Sequence, residues 1–191
     1  LDQMVSIVTE AGGLTEMVHQ IIRLESQQAV DQYSQLPISG EVIELSVTTP
    51  DGVVLEPTGG SSGGGFTLPG LAPGALIEVR TERSADLPRE QALELGPFFF
   101  QDPNFLVAFH RTEWIVHLPD RWDPEILRRG GAPEPESTVR NGVRRLAWRI
   151  DGSPRAEPEP FMPPPEHLLP NAQIRRRVEW AEVPPDLSAG T

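Results

Sequence analysis

Several groups of residues have the type and spacing that chemistry requires, and each can be weighed against what that chemistry needs. The run Gly59-Gly60-Ser61-Ser62-Gly63-Gly64-Gly65 is glycine-rich enough to suggest a phosphate-cradling loop. A P-loop places Lys and then Ser or Thr directly after its last glycine, so that the amine reaches the phosphates and the hydroxyl a metal. Here Phe66-Thr67 follows instead. The dinucleotide fingerprint needs glycines at i, i+2 and i+5, and no register of the run supplies them, so it reads as a flexible hairpin tip. The histidines are His19, His110, His117 and His167. His110 and His117 lie seven apart, an odd offset that points them to opposite faces of a strand. Glu113 and His117 share a face, which allows one carboxylate–imidazole contact. Metal sites need three or four ligands, and no third is in reach. Glu134/Glu136 and Glu157/Glu159 could suggest the carboxylate pair of a glycosidase, but they sit in Pro-rich loops without the rigid frame catalysis demands. Ser61 and Ser62 lack the strand–turn–helix context of a nucleophile elbow. With no Cys in the chain, a cysteine nucleophile, a thiolate metal site and disulfides are all excluded. No catalytic, cofactor-binding or metal-binding residue is assigned, and the chain is expected not to be an enzyme in its own right.

The aromatic residues offer binding rather than catalysis. Trp114, Trp122, Trp148 and Trp180 could form a sugar-stacking platform or could plug a core. Trp148, with Leu146 and Ile150 at period two, reads as core. Phe98, Phe99 and Phe100 cannot all point to one side of a strand. One ring is therefore left to face a neighbouring domain, and these three residues with Trp180 are the candidate interdomain interface.

The elements that must position these residues follow from composition and punctuation. The 191 residues include 21 Pro and 17 Gly, which leave little room for long helices and suit short strands joined by turns. The net charge is -12, and all 16 basic residues are Arg. Such an acidic balance repels phosphate backbones, so nucleic acid is not an expected partner. The absence of Lys fits the codon bias of a GC-rich genome. No stretch approaches the ~20 apolar residues of a membrane span. Leu1 is not an initiator Met and no basic-then-apolar leader precedes the first turn, so the chain is expected to be a fragment or to have lost its leader.

Pro50-Asp51-Gly52 predicts a tight turn between strands at Glu41–Thr49 and Val53–Leu55. Further strands are predicted at Phe66–Leu68, Ala75–Arg83, Phe105–Leu118, Val143–Ile150 and Ile174–Val183, with a polar loop at Gly130–Glu136. In Ala75–Arg83, Ile77, Val79 and Thr81 share one face while Leu76, Glu78, Arg80 and Glu82 share the other. Pro154–Pro170 holds seven prolines and is expected to lie as an extended strap over the fold. Leu14, Met17, Val18, Ile21, Ile22, Ala29 and Val30 fit helical spacing, so periodicity alone favours a helix from Leu14 to Leu36. The expected architecture is all-β, an antiparallel β-sandwich spanning residues 1–183, followed by a linker at 184–191.

The order of motifs resembles a bacterial domain of unknown function that precedes transglutaminase-like domains of the papain-type fold. The matching pieces are His19-Gln20-Ile21-Ile22-Arg23-Leu24, Gln28-Ala29-Val30-Asp31-Gln32-Tyr33, Thr49-Pro50-Asp51-Gly52 and Leu68-Pro69-Gly70-Leu71-Ala72-Pro73-Gly74 with Ile77-Glu78. After them come Phe99-Phe100-Gln101-Asp102, a long strand ending in Pro119, Trp148, Glu159-Pro160 with Met162-Pro163-Pro164, and Trp180. The resemblance implies a sandwich of immunoglobulin-like or super-sandwich type, and a strand rather than a helix at Glu16–Leu24. It also implies a non-catalytic role, packing against and positioning a downstream cysteine-dependent domain, and a periplasmic or cell-surface location without membrane insertion. The alternative is a glycan-binding module using exposed aromatic rings. No cofactor is expected.

Overall fold

The computed structural model describes residues 1–36, 38, 40–59, 66–86, 94–103, 108–154 and 159–176. Strands make up 58% and helix 7%, so the expected all-β class is correct. In chain order the elements are β1 (Asp2–Val8), β2 (Gly13–Arg23), α1 (Gln27–Tyr33), β3 (Gln35–Leu36), β4 (Glu41–Thr48), β5 (Val54–Leu55), β6 (Phe66–Thr67) and β7 (Leu76–Asp86). They continue as β8 (Glu94–Phe99), β9 (Phe109–Pro119), β10 (Pro124–Arg129), β11 (Glu136–Arg140), β12 (Val143–Ser153), α2 (Pro165–Leu168) and β13 (Asn171–Arg176). They fall into two compact units, Leu1–Val5 with Thr15–Ser84 and Ser6–Leu14 with Ala85–Thr191.

In the first unit, neighbouring strands run β2-β7-β4-β5. Strands β4 and β7 pair antiparallel with Val47 opposite Ile77 and Leu45 opposite Val79. Ile77 and Val79 are buried while Arg80 is exposed, which is the alternation expected of a sheet with one wet face. The core comprises Leu24, Val30, Val47, Leu68, Ala75, Ile77 and Val79. The predicted turn forms: Gly52 N–H donates to Thr49 O at 2.9 Å, and Gly52 takes φ +87°, a conformation glycine adopts without steric cost.

The segment Leu14–Leu36 is not one helix. It divides into β2, α1 and β3, as the resemblance implied for Glu16–Leu24. Paired apolar residues, Met17-Val18 and Ile21-Ile22, supply both faces of β2, and both faces are mostly half-buried. Apolar pairs four residues apart imitate a 3.6-residue period. Tertiary pairing decides between the two: Ile21 and Leu1 exchange hydrogen bonds, each 3.0 Å. The helical signal is real only where Ser26 caps α1 by accepting from Ala29 N–H and Val30 turns inward.

The second unit is a sandwich. One layer runs β11-β12-β9 and the other β10-β13-β8. Strands β12 and β9 pair antiparallel with Trp148 opposite Trp114 and Leu146 opposite Val116, and all four are at most 2% exposed. Facing them from β8 is Phe98, stacked on Trp114 at 5.4 Å between ring centroids. Trp114 in turn stacks on Trp148 at 5.0 Å, and Phe100 meets Phe98 edge-on at 5.2 Å. Strand β8 carries a bulge: Phe98 pairs with Ala172 and Leu95 with Ile174, so three steps on one strand match two on the other. The bulge lets Leu95 and Phe98 both face inward. It contains the cis Gly96–Pro97 peptide, and Gly96 has φ +93°. A Cβ on Gly96 would stand 2.8 Å from Ala172 O, so the close strand approach requires glycine.

Other boundaries differ from expectation. The stretch read as a polar loop is bracketed by strands β10 and β11. Both are rich in charged residues and so carry no apolar alternation; β10 is held by pairing with β13 and β11 by pairing with β12. The Pro-rich strap contains one helical turn, α2, with Pro165 in its first turn, where the missing N–H is no loss. The final strand is described only as Asn171–Arg176, and Val183 and the linker at 184–191 lie outside the described residues.

Replacing Trp148 by Ala empties a site packed on Trp114 and is expected to cost about 3–5 kcal/mol, measured by urea unfolding. No loss of stability would contradict the core placement.

Candidate functional site

The polar residues that could do chemistry stand mostly on the solvent faces of the sheets, where alternation puts every second side chain. In the first unit, His19 Nε2 lies 2.8 Å from Glu78 Oε1. Arg80 reaches Glu78 at 3.2 Å and Glu44 at 3.2 Å, and Arg83 pairs with Glu16. This ladder joins β2, β7 and β4, so its carboxylates are occupied by neighbouring cations. In the second unit, Asp151 is bracketed by Arg111 and Arg149, each at 3.1 Å, and the hydrogen bonds from Arg149 and then Arg111 hold its carboxyl below the usual range. Glu113, which shares a face with His117, meets Arg149 at 3.8 Å. Glu134 pairs with Arg128. Among the described residues no three His, Asp or Glu side chains converge as metal ligands.

The outer face of the β10-β13-β8 layer forms a concavity of about 200 Å³, lined in part by Leu127, Arg129, Glu166, Asn171, Gln173 and Arg175. Register explains the grouping: Leu127 pairs with Gln173 and Arg129 with Asn171, so all four project from one side. Much of the polarity is spent internally. Asn171, 3% exposed, donates to Leu169 O at 2.8 Å and Glu166 O at 3.0 Å, tying down the end of α2. Arg175 lies 3.3 Å from Glu94, which also accepts from Gln173.

The candidate interface residues separate. Phe98 and Phe100 are buried within the sandwich, so they are not available to a partner. Phe99, on the alternate side of β8, keeps partial exposure. Trp180 lies outside the described residues, as do Ser61, Ser62, Glu157 and Gly60–Gly65. A sugar-stacking platform would need rings side by side on a flat face. Trp114 and Trp148 are interior, and Trp122 lies under the Arg176 guanidinium at 5.0 Å.

One exposed ring is not among the residues singled out by type and spacing. Phe161 is fully exposed and has φ +65°, an uncommon conformation for a bulky residue. Its signal was the apolar pair Phe161-Met162 inside a segment otherwise made of Pro and Glu.

No family model matches the sequence, and no curated protein matches it. Among solved structures, the chain is similar to the crystal structure of a "putative protease" from Parabacteroides distasonis ATCC 8503, with a TM-score of 0.76 at 12% identity. The likeness covers 92% of this chain and 39% of that one. At this identity it establishes the fold alone, consistent with the β-sandwich. No helix among the described residues is long and apolar enough to cross a membrane.

His117 is the histidine whose environment is most distinct. It is half-buried on β9 opposite Arg145 of β12. Burial, and then the Arg145 charge, lower its pKa from the ordinary 6.5. The unfolded chain therefore takes up a proton near 6.5 while the folded chain resists it. The stability this provides is present above that value and is lost as pH falls through and below it. An NMR titration of the His117 ring should give a midpoint below 6.5, and His117→Gln should reduce the loss of stability between about pH 7 and 5. A midpoint at or above the ordinary value would contradict the placement.

Proposed function

We propose that this chain is a non-catalytic accessory domain that packs against and positions a downstream transglutaminase-like, cysteine-dependent domain of the same polypeptide. The observation that carries the reading is one of proportion. The solved structure that shares its fold over 92% of this chain is much longer, and this chain spans 39% of it. Two features support the division of labour. The sequence contains no Cys, so a cysteine nucleophile has to come from outside these residues. Several ionisable side chains are engaged in cross-strand ion pairs, an arrangement that leaves those carboxylates poorly placed for proton transfer. By the motifs' resemblance to the domain that precedes transglutaminase-like domains, the protein would work in the periplasm or at the cell surface.

The test compares acyl-transfer and peptide-hydrolysis rates of the full polypeptide, of a form lacking residues 1–183, and of that form mixed with this chain. Turnover is expected to reside beyond residue 191, to fall several-fold on deletion and to recover in part on mixing. Turnover by residues 1–191 alone would overturn the non-catalytic reading. An unchanged kcat/KM after deletion would overturn the positioning role.

A further inference from the structure

The strap between β12 and β13 presents its largest apolar side chain at a position of positive φ. Met162 N–H donates to Glu159 O at 3.2 Å, closing a turn with Pro160 and Phe161 at its centre. Phe161 takes φ +65°, the value that a type II turn requires of its third residue and that normally selects glycine. An aromatic side chain there carries backbone strain. Its ring is also fully exposed, so it gains nothing from burial within the described fold. Neither cost is compensated among the described residues, and both would be offset if the ring entered an apolar pocket on a partner.

The surrounding sequence suits such docking. Pro160, Pro163, Pro164 and Pro165 fix their own φ angles, so little freedom is lost when the turn is immobilised. Charge selects the partner. Between Pro154 and Pro170 stand Glu157, Glu159 and Glu166 against the single Arg155, a net of -2 with His neutral (three acidic, one basic). A second copy of this chain would bring another net charge of -12 to the contact and be repelled. A surface whose pocket is rimmed by basic groups would be attracted.

We propose that Phe161 is the anchor by which this chain docks on the following domain, its ring seated in an apolar pocket with a cationic rim. This inference rests on the accessory reading above and names the contact that reading leaves open.

The experiment places a photo-activated benzophenone amino acid at position 161, and separately at position 99, in the full polypeptide and maps the adducts by mass spectrometry. Position 161 is expected to cross-link within the same chain to residues beyond 191. Adducts from 161 only to residues 1–191, or only to a second copy, would overturn the anchor. Cross-linking beyond 191 from position 99 but not from 161 would overturn the anchor while the accessory reading stands. No such adduct from either position would count against both. Phe161→Gly supplies the independent check. Relieved of backbone strain, the 191-residue chain should keep or raise its Tm, whereas the full polypeptide should become more susceptible to limited proteolysis between its domains. A lowered Tm of the 191-residue chain would show that the ring packs within its own fold and would overturn the proposal.

Discussion

The second unit depends on three rings in contact. Phe98 of one layer lies on Trp114 of the other, 17° from parallel, and Trp114 lies on Trp148 of the adjacent strand at 22°. Few other side chains reach across the ~10 Å between packed sheets with so much apolar surface. The Trp114 indole N–H is satisfied by Ser6 Oγ at 3.2 Å, and Ser6 is itself fully buried. The Trp148 N–H is buried without a partner among the described residues. A group left unpaired in this way costs free energy, so its packing has to outweigh that loss. The bulge at Gly96 follows from the same constraint, since it brings Phe98 to the inner side while Leu95 also faces inward.

This arrangement bears on function by removing candidates. The two central tryptophans and two of the three consecutive phenylalanines are interior, so they are unavailable as a ligand surface. Several of the charged residues pair across strands, and exposed pairs of this kind contribute little stability each. Their effect is to give the sheet faces a fixed pattern of charge within a strongly acidic molecule.

The legible parts of the sequence were those with a local physical signature. Ile77 and Val79 alternate cleanly with charge, Trp148 repeats at period two with Leu146, and Pro50-Asp51-Gly52 specifies its own turn. Strands without such a signature were missed: β10 and β11 carry Glu, Arg and Ser in place of alternating apolar residues, and their identity comes from pairing partners distant in sequence. The helical reading of Leu14–Leu36 failed for a related reason, because a strand half-buried on both faces places its apolar residues at helix-like intervals. The sequence did indicate that the three phenylalanines could not all face one way. It held no signal that Phe98 and Phe100 would be the buried pair, since that choice follows from the bulge. Phe161 is hard to read from sequence because a Pro-rich segment implies a uniformly extended backbone, whereas the sign of φ reverses at that one residue.

A double-mutant cycle between Phe98 and Trp114, each replaced by Leu and followed by urea unfolding, tests the ring contact across the layers most directly. The stacked geometry predicts a favourable coupling of about 0.5–1.5 kcal/mol beyond the sum of the single effects. Strict additivity of the two substitutions, within roughly 0.3 kcal/mol, would show that the rings do not meet and would contradict the sandwich described above.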